Sequence, residues 1–119
     1  MKRLFLIFFL VPLIASGGSS DKRLIGHWQY KDARSSADMT FWPDGKFTNV
    51  TSISGIVRST NSKGKWWVKG NVLQYEYVSD SAGRIAAGTR DQDELIEVAK
   101  DHFTIRTQHG AVRTYRRIS

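Results

Sequence analysis

Residues 36–53 read Ser-Ala-Asp-Met-Thr-Phe-Trp-Pro-Asp-Gly-Lys-Phe-Thr-Asn-Val-Thr-Ser-Ile, two runs rich in β-branched and aromatic residues on either side of Pro43-Asp44-Gly45. Proline presets φ for the first turn position, and glycine takes the left-handed conformation that lets a strand reverse. The segment therefore predicts a β-hairpin with strands over 36–42 and 46–53. The same punctuation continues in both directions: short alternating runs at 25–30, 56–60, 65–69, 72–78, 94–99, 102–107 and 111–117, with turns at Gly70-Asn71, Lys100-Asp101 and His109-Gly110. Strands recurring at a spacing of roughly 8–12 residues mark an all-β sandwich or barrel. Discounting 56–60, the weakest of these nine runs, leaves about eight strands, and 79–93 stays open as a long loop, a short helix or a strand.

Alternation assigns the faces. Leu73, Tyr75 and Tyr77 share one side of their strand, opposite Val72, Gln74, Glu76 and Val78. Phe103, Ile105 and Thr107 oppose His102, Thr104 and Arg106, and Trp66 and Val68 oppose Lys65, Trp67 and Lys69, so one tryptophan belongs to the core and the other lies among lysines. Sequential hairpins in one meander lose their exposed edges most simply by closing into a small antiparallel up-and-down barrel.

The chain has 119 residues with 40% hydrophobic composition, enough for one domain and too few for two. It contains no cysteine, which excludes disulfides, thiol nucleophiles, iron–sulfur clusters and cysteine-based zinc sites. Met1-Lys2-Arg3, the apolar run of residues 4–14 and the small residues 15–20 have the three regions of an export signal. The apolar run is shorter than the about 20 residues that span a bilayer. Cleavage is expected at Ala15-x-Gly17 or Ser16-x-Gly18, and a membrane contact only if this N-terminus is retained as an anchor. The organisation expected is a signal peptide at 1–17, a flexible leader at 18–23 and the domain at 24–119, placed in the periplasm or secreted. Leu13-Ile14-Ala15-Ser16 resembles the start of a lipoprotein box, but Gly17 stands where the lipidated cysteine would be. Loss of Lys2 and Arg3 with the signal lowers the net charge from +7 to +5, still basic and suited to anionic partners.

Gly26-His27-Trp28 on the first strand and Arg113-Thr114-Tyr115-Arg116-Arg117 on the last resemble the lipocalin-like, or calycin, pattern. There, a Gly-x-Trp is covered by an arginine of the final strand through cation–π stacking. The resemblance implies that Arg116 or Arg117 closes one end of the barrel; without it, Trp28 is a core aromatic and the basic strand a solvated edge. Phe41-x-x-Asp44-Gly45-x-Phe47, Gly64-Lys65-Trp66 and Tyr115-x-Arg117 are also similar to small exported bacterial lipocalin-like domains. At about 95 residues, 24–117 is shorter than a true lipocalin and lacks its C-terminal helix. Arg113-x-Tyr115 resembles the Arg-x-Tyr with which fatty-acid-binding relatives hold a carboxylate; the alternative is an exposed pairing of Arg113 with Glu or Asp.

No catalytic motif is present, and the three histidines have no metal-ligand spacing, so neither an enzyme, a metal nor a cofactor is expected. Asp91-x-Asp93-Glu94 lacks the glycine and distal glutamate of a calcium loop and reads as a solvated loop. Lys63, Lys65, Trp67 and Lys69 form a basic aromatic stripe. Export favours an anionic envelope component or a secreted protein over nucleic acid as its partner. The expectation is a binding protein for a small apolar or acidic ligand, lined by Trp66, Leu73, Tyr75, Tyr77, Phe103 and Ile105, with Arg113 and Tyr115 as polar anchors. A barrel this small can instead be filled by its own side chains; it would then act as an interaction or inhibitor module through its basic face.

Overall fold

The hairpin at 42–45 forms as its residues dictate: Gly45 adopts φ 88° and Asp44 Oδ1 accepts the Lys46 N–H at 3.0 Å. It joins two of eight strands in the computed structural model, which describes residues 21–53 and 59–119. These are β1 (Gly26–Lys31), β2 (Ser35–Phe41), β3 (Lys46–Ile53), β4 (Ser59–Lys69), β5 (Val72–Asp80), β6 (Arg90–Val98), β7 (His102–Thr107) and β8 (Val112–Arg117). Each pairs antiparallel with the next, and β1 pairs with β8, Trp28 opposite Arg117, to close the barrel. This is the up-and-down barrel that the meander predicts.

The strand expected at 56–60 falls mostly outside the described residues, as does the expected signal peptide, while Thr60 belongs to the long β4. The open stretch 79–93 divides: Ser79 and Asp80 extend β5, 81–89 is a loop, and 90–93 begin β6. Residues 21–23, placed in the leader, belong to the ordered structure. Asp21 caps a 3-10 turn, Lys22–Leu24, by accepting the Arg23 N–H at 3.0 Å, and Leu24 is fully buried.

One end of the barrel is solid. Trp28, Phe41, Phe47, Trp66, Leu73 and Phe103 are almost completely buried. Their rings meet edge to face or tilted, Trp28 and Phe103 at 4.9 Å and Phe41 and Trp66 at 4.8 Å, geometries that aromatic quadrupoles favour. Polar edges inside the core are satisfied: Trp28 Nε1 donates to the Leu24 carbonyl and Trp66 Nε1 to that of Trp42. Gly64 lets β4, β5 and Phe47 approach, because a Cβ there would collide with the Glu76 carbonyl oxygen and the Phe47 ring.

Arg117 supplies the closing guanidinium. Its Cζ lies 4.2 Å from the centroid of Trp28, and its nitrogens donate to the carbonyls of Lys100, Ile25 and Arg23 at 2.7, 3.0 and 3.0 Å. Gly26, with φ 142°, leaves the space that the guanidinium enters. Arg116 points outward and is exposed. We expect Trp28→Ala to destabilise the domain by about 3–5 kcal/mol in urea denaturation, the range for deleting a large buried aromatic. A loss below about 1 kcal/mol would contradict a closing role.

Candidate functional site

Towards the opposite end the inward positions change character. Beside Tyr77, the residues Asn49 and Thr51 of β3, Ser62 of β4, Asp80 of β5, Asp91 and Asp93 of β6 and Arg113 of β8 take the place of most of the aromatic filling. Small and polar side chains do not meet across the barrel, and a cavity of about 470 Å³ remains. Met39, Tyr75 and Ile105 belong both to the packed core and to the lining, so the cavity begins where the core stops. A second space of about 350 Å³ shares Asn49 and Tyr77 with it and reaches Arg84 and Ile85 of the 81–89 loop. These volumes fall within the range of small-molecule sites.

The lining combines aromatic rings with uncompensated polar groups. The Tyr75 hydroxyl donates to Asp93 Oδ2 at 3.0 Å, and Gln108 Nε2 donates to Asp91 Oδ1 at 2.7 Å. Among the described residues, no cationic nitrogen lies within salt-bridge distance of Asp91 or Asp93. Burial pushes the Asp93 carboxyl up to about 6; the nearby Asp91 adds to this, while the Tyr75 hydrogen bond and Arg113 oppose it. Burial likewise raises the Tyr77 and Tyr115 phenols to about 12, with Asp93 contributing to both. Asn49 Nδ2 donates to Thr51 Oγ1 at 3.3 Å, but its Oδ1 is buried with no partner among the described residues.

Of the residues expected to bind ligand, Tyr75, Tyr77, Arg113 and Tyr115 line this cavity together with Ile105. Trp66, Phe103 and Leu73 share the inward face but lie in the packed core and do not reach the cavity. Among the described residues Arg113 makes no ion pair with Glu or Asp, but it acts on the buried Tyr115 phenol, opposing the rise that burial causes. Its guanidinium is exposed and lies 5.3 Å from the centroid of Tyr30. Asp91-x-Asp93 belongs to a strand and not to a loop: it opens β6, and the two-residue period puts both carboxylates on the cavity side, Asp91 exposed at the mouth and Asp93 half-buried. Asn49 and Met39 were also missed, although the spacing of each from Phe47 and Phe41 places it on the inner face.

His109, in the β7–β8 turn, is at the cavity rim. On the outside, the His102 ring nitrogens lie 3.0 Å from a Glu97 carboxylate oxygen and 2.8 Å from one of Asp101, and these two acceptors hold its pKa up. His27 Nε2 is 3.7 Å from Asp38. Among the described residues, no three histidines or acids gather into a metal-binding group.

The architecture has a counterpart among solved structures. A lipocalin-like protein from Bacteroides uniformis superposes with a TM-score of 0.60 at 15% identity, over 81% of this chain and 99% of its own. The fold is therefore lipocalin-like. No protein-family description matches the chain, and no curated protein does.

A carboxyl with a raised folded pKa stabilises below its unfolded value of 3.8 and loses that contribution as pH rises through about 6. Asp93→Asn removes the loss, so the variant should melt higher than the parent at about pH 8 and converge with it near pH 4. His102, also raised, changes stability in the same direction in both proteins and cancels in the comparison. A variant that melts lower at every pH would show that Asp93 serves the fold.

Proposed function

We propose that this protein is an exported, non-catalytic binding protein. The mouth cavity receives a small molecule with an apolar body and a polar group. The observation that carries this reading is the division of one barrel into a close-packed half and a hollow half of about 470 Å³, whose wall holds a buried acceptor without a partner at Asn49. Large side chains from β1, β2, β3, β4, β5 and β7 fill the closed end, so the opening is a property of which residues face inward at the mouth. Residues 1–17, with their cationic start, apolar run and small-residue end, support delivery to the periplasm or the medium.

A second reading rests on the outer surface. Trp42 and Val78, 42% and 53% exposed, border a groove with Lys46, Lys63 and Lys65. Lys46 and Lys65 are direct cross-strand partners, an arrangement that costs stability through like-charge repulsion. Such a face suits an anionic envelope component or an acidic protein.

Native mass spectrometry of the protein expressed with its own N-terminus, before and after organic extraction, separates the two. An extractable small molecule bound to the processed chain is the expected result. A bare chain, with no mass released on extraction from any growth medium tried, would turn the assignment to the basic outer face.

A further inference from the structure

We infer that the mouth cavity selects an amine on an apolar stem, its ammonium group seated against Asp91, Asp93 and the tyrosine rings; this rests on the cavity being the ligand site. Charge favours a cation here. Two carboxylates face the space and one guanidinium does, and that guanidinium is exposed and laid over Tyr30. A ligand carboxylate seated beside Asp93 would add a third negative charge to a region that already penalises one. The acidic ligand expected from Arg113-x-Tyr115 therefore gives way to a cation.

Hydrogen bonding favours the same ligand. The polar atom buried without a partner is an acceptor, Asn49 Oδ1, and the carboxylate oxygens Asp91 Oδ2 and Asp93 Oδ1 accept no bond among the described residues. An ammonium carries three donors and no acceptor, a carboxylate the reverse. Only the former satisfies Asn49, whose desolvated oxygen otherwise remains unpaired at a cost of about 1–3 kcal/mol. The aromatic lining suits an ammonium as well. Tyr75, Tyr77 and Tyr115 present π faces, which attract a desolvated cation, and with Met39 and Ile105 they offer apolar contact for its stem.

Asp93 makes the preference pH-dependent. The groups facing it are Tyr75 and Tyr77 from β5, Asp91 on its own strand, Arg113 and Tyr115 from β8, and His109 from the β7–β8 turn. Burial raises all three tyrosines, which stay protonated at neutral pH, and leaves Asp93 to gain a proton as pH falls through about 6.

Amide NMR titration with octylamine, octanol and octanoate, probes of one length and three charges, tests this. At about pH 8, octylamine should move the resonances of Tyr75, Asp93 and Tyr115 and bind at least about tenfold more tightly than octanol. That advantage should vanish in Asp93→Asn and near pH 5. Asp91→Asn, at an exposed position, provides a second variant whose folding is not at issue and should also weaken octylamine. Octanoate binding more tightly than octylamine at these residues would overturn the inference and leave the binding-protein reading intact. If none of the three probes moves these resonances, both fail.

Discussion

The guanidinium of Arg117 over the ring of Trp28 is the contact on which the architecture depends. It joins the last strand to the first, and its three hydrogen bonds reach carbonyls of the N-terminal turn and of the β6–β7 turn. A planar group with donors in a fixed fork can cover an aromatic face and satisfy backbone acceptors at once, which a lysine cannot. One end of the barrel is thereby sealed by covalent neighbours and a cation–π contact, with Leu24 beneath. Any ligand must enter from the other end.

Sealing one end imposes a gradient along the inner face. Near Trp28 the inward positions carry large rings in contact; beyond Met39 and Tyr75 they carry asparagine, serine and aspartate. The change sacrifices hydrophobic burial, and it does so at a cluster that contains a desolvated carboxylate and an orphan acceptor. Polar groups that a fold leaves unsatisfied in its interior weaken it unless something else completes them. Features of this kind occur where binding, and not folding, decides the residue.

Much of this was legible in the sequence because it depends on local chemistry. Pro43-Asp44-Gly45 dictates its turn, Gly26-x-Trp28 requires a neighbour that uses the missing Cβ, and alternation correctly turned Trp66 inward and left Trp67 on the outer surface, under Arg90. Height along the barrel was not legible. Trp66 and Tyr75 are cross-strand partners on one face, yet only Tyr75 reaches the cavity, because strand stagger and closure set the level of each residue. Asp91 and Asp93 were hidden by their type: acids are poor strand formers, so a run of them beside a glycine-broken loop reads as loop, although their spacing is that of a strand facing inward. The register shifts near Gly64 and Leu95 add extra residues that interrupt simple alternation at Val78 and Ile96.

At its mouth the barrel holds Asp93 half-buried, with no cationic partner within salt-bridge distance among the described residues. NMR titration of the Asp93 side-chain carboxyl carbon tests this most directly. A midpoint of about 6, well above the ordinary 3.8, is the predicted result. A midpoint at or below 3.8 would mean that Asp93 is solvated or paired and that the cavity is not the desolvated site described.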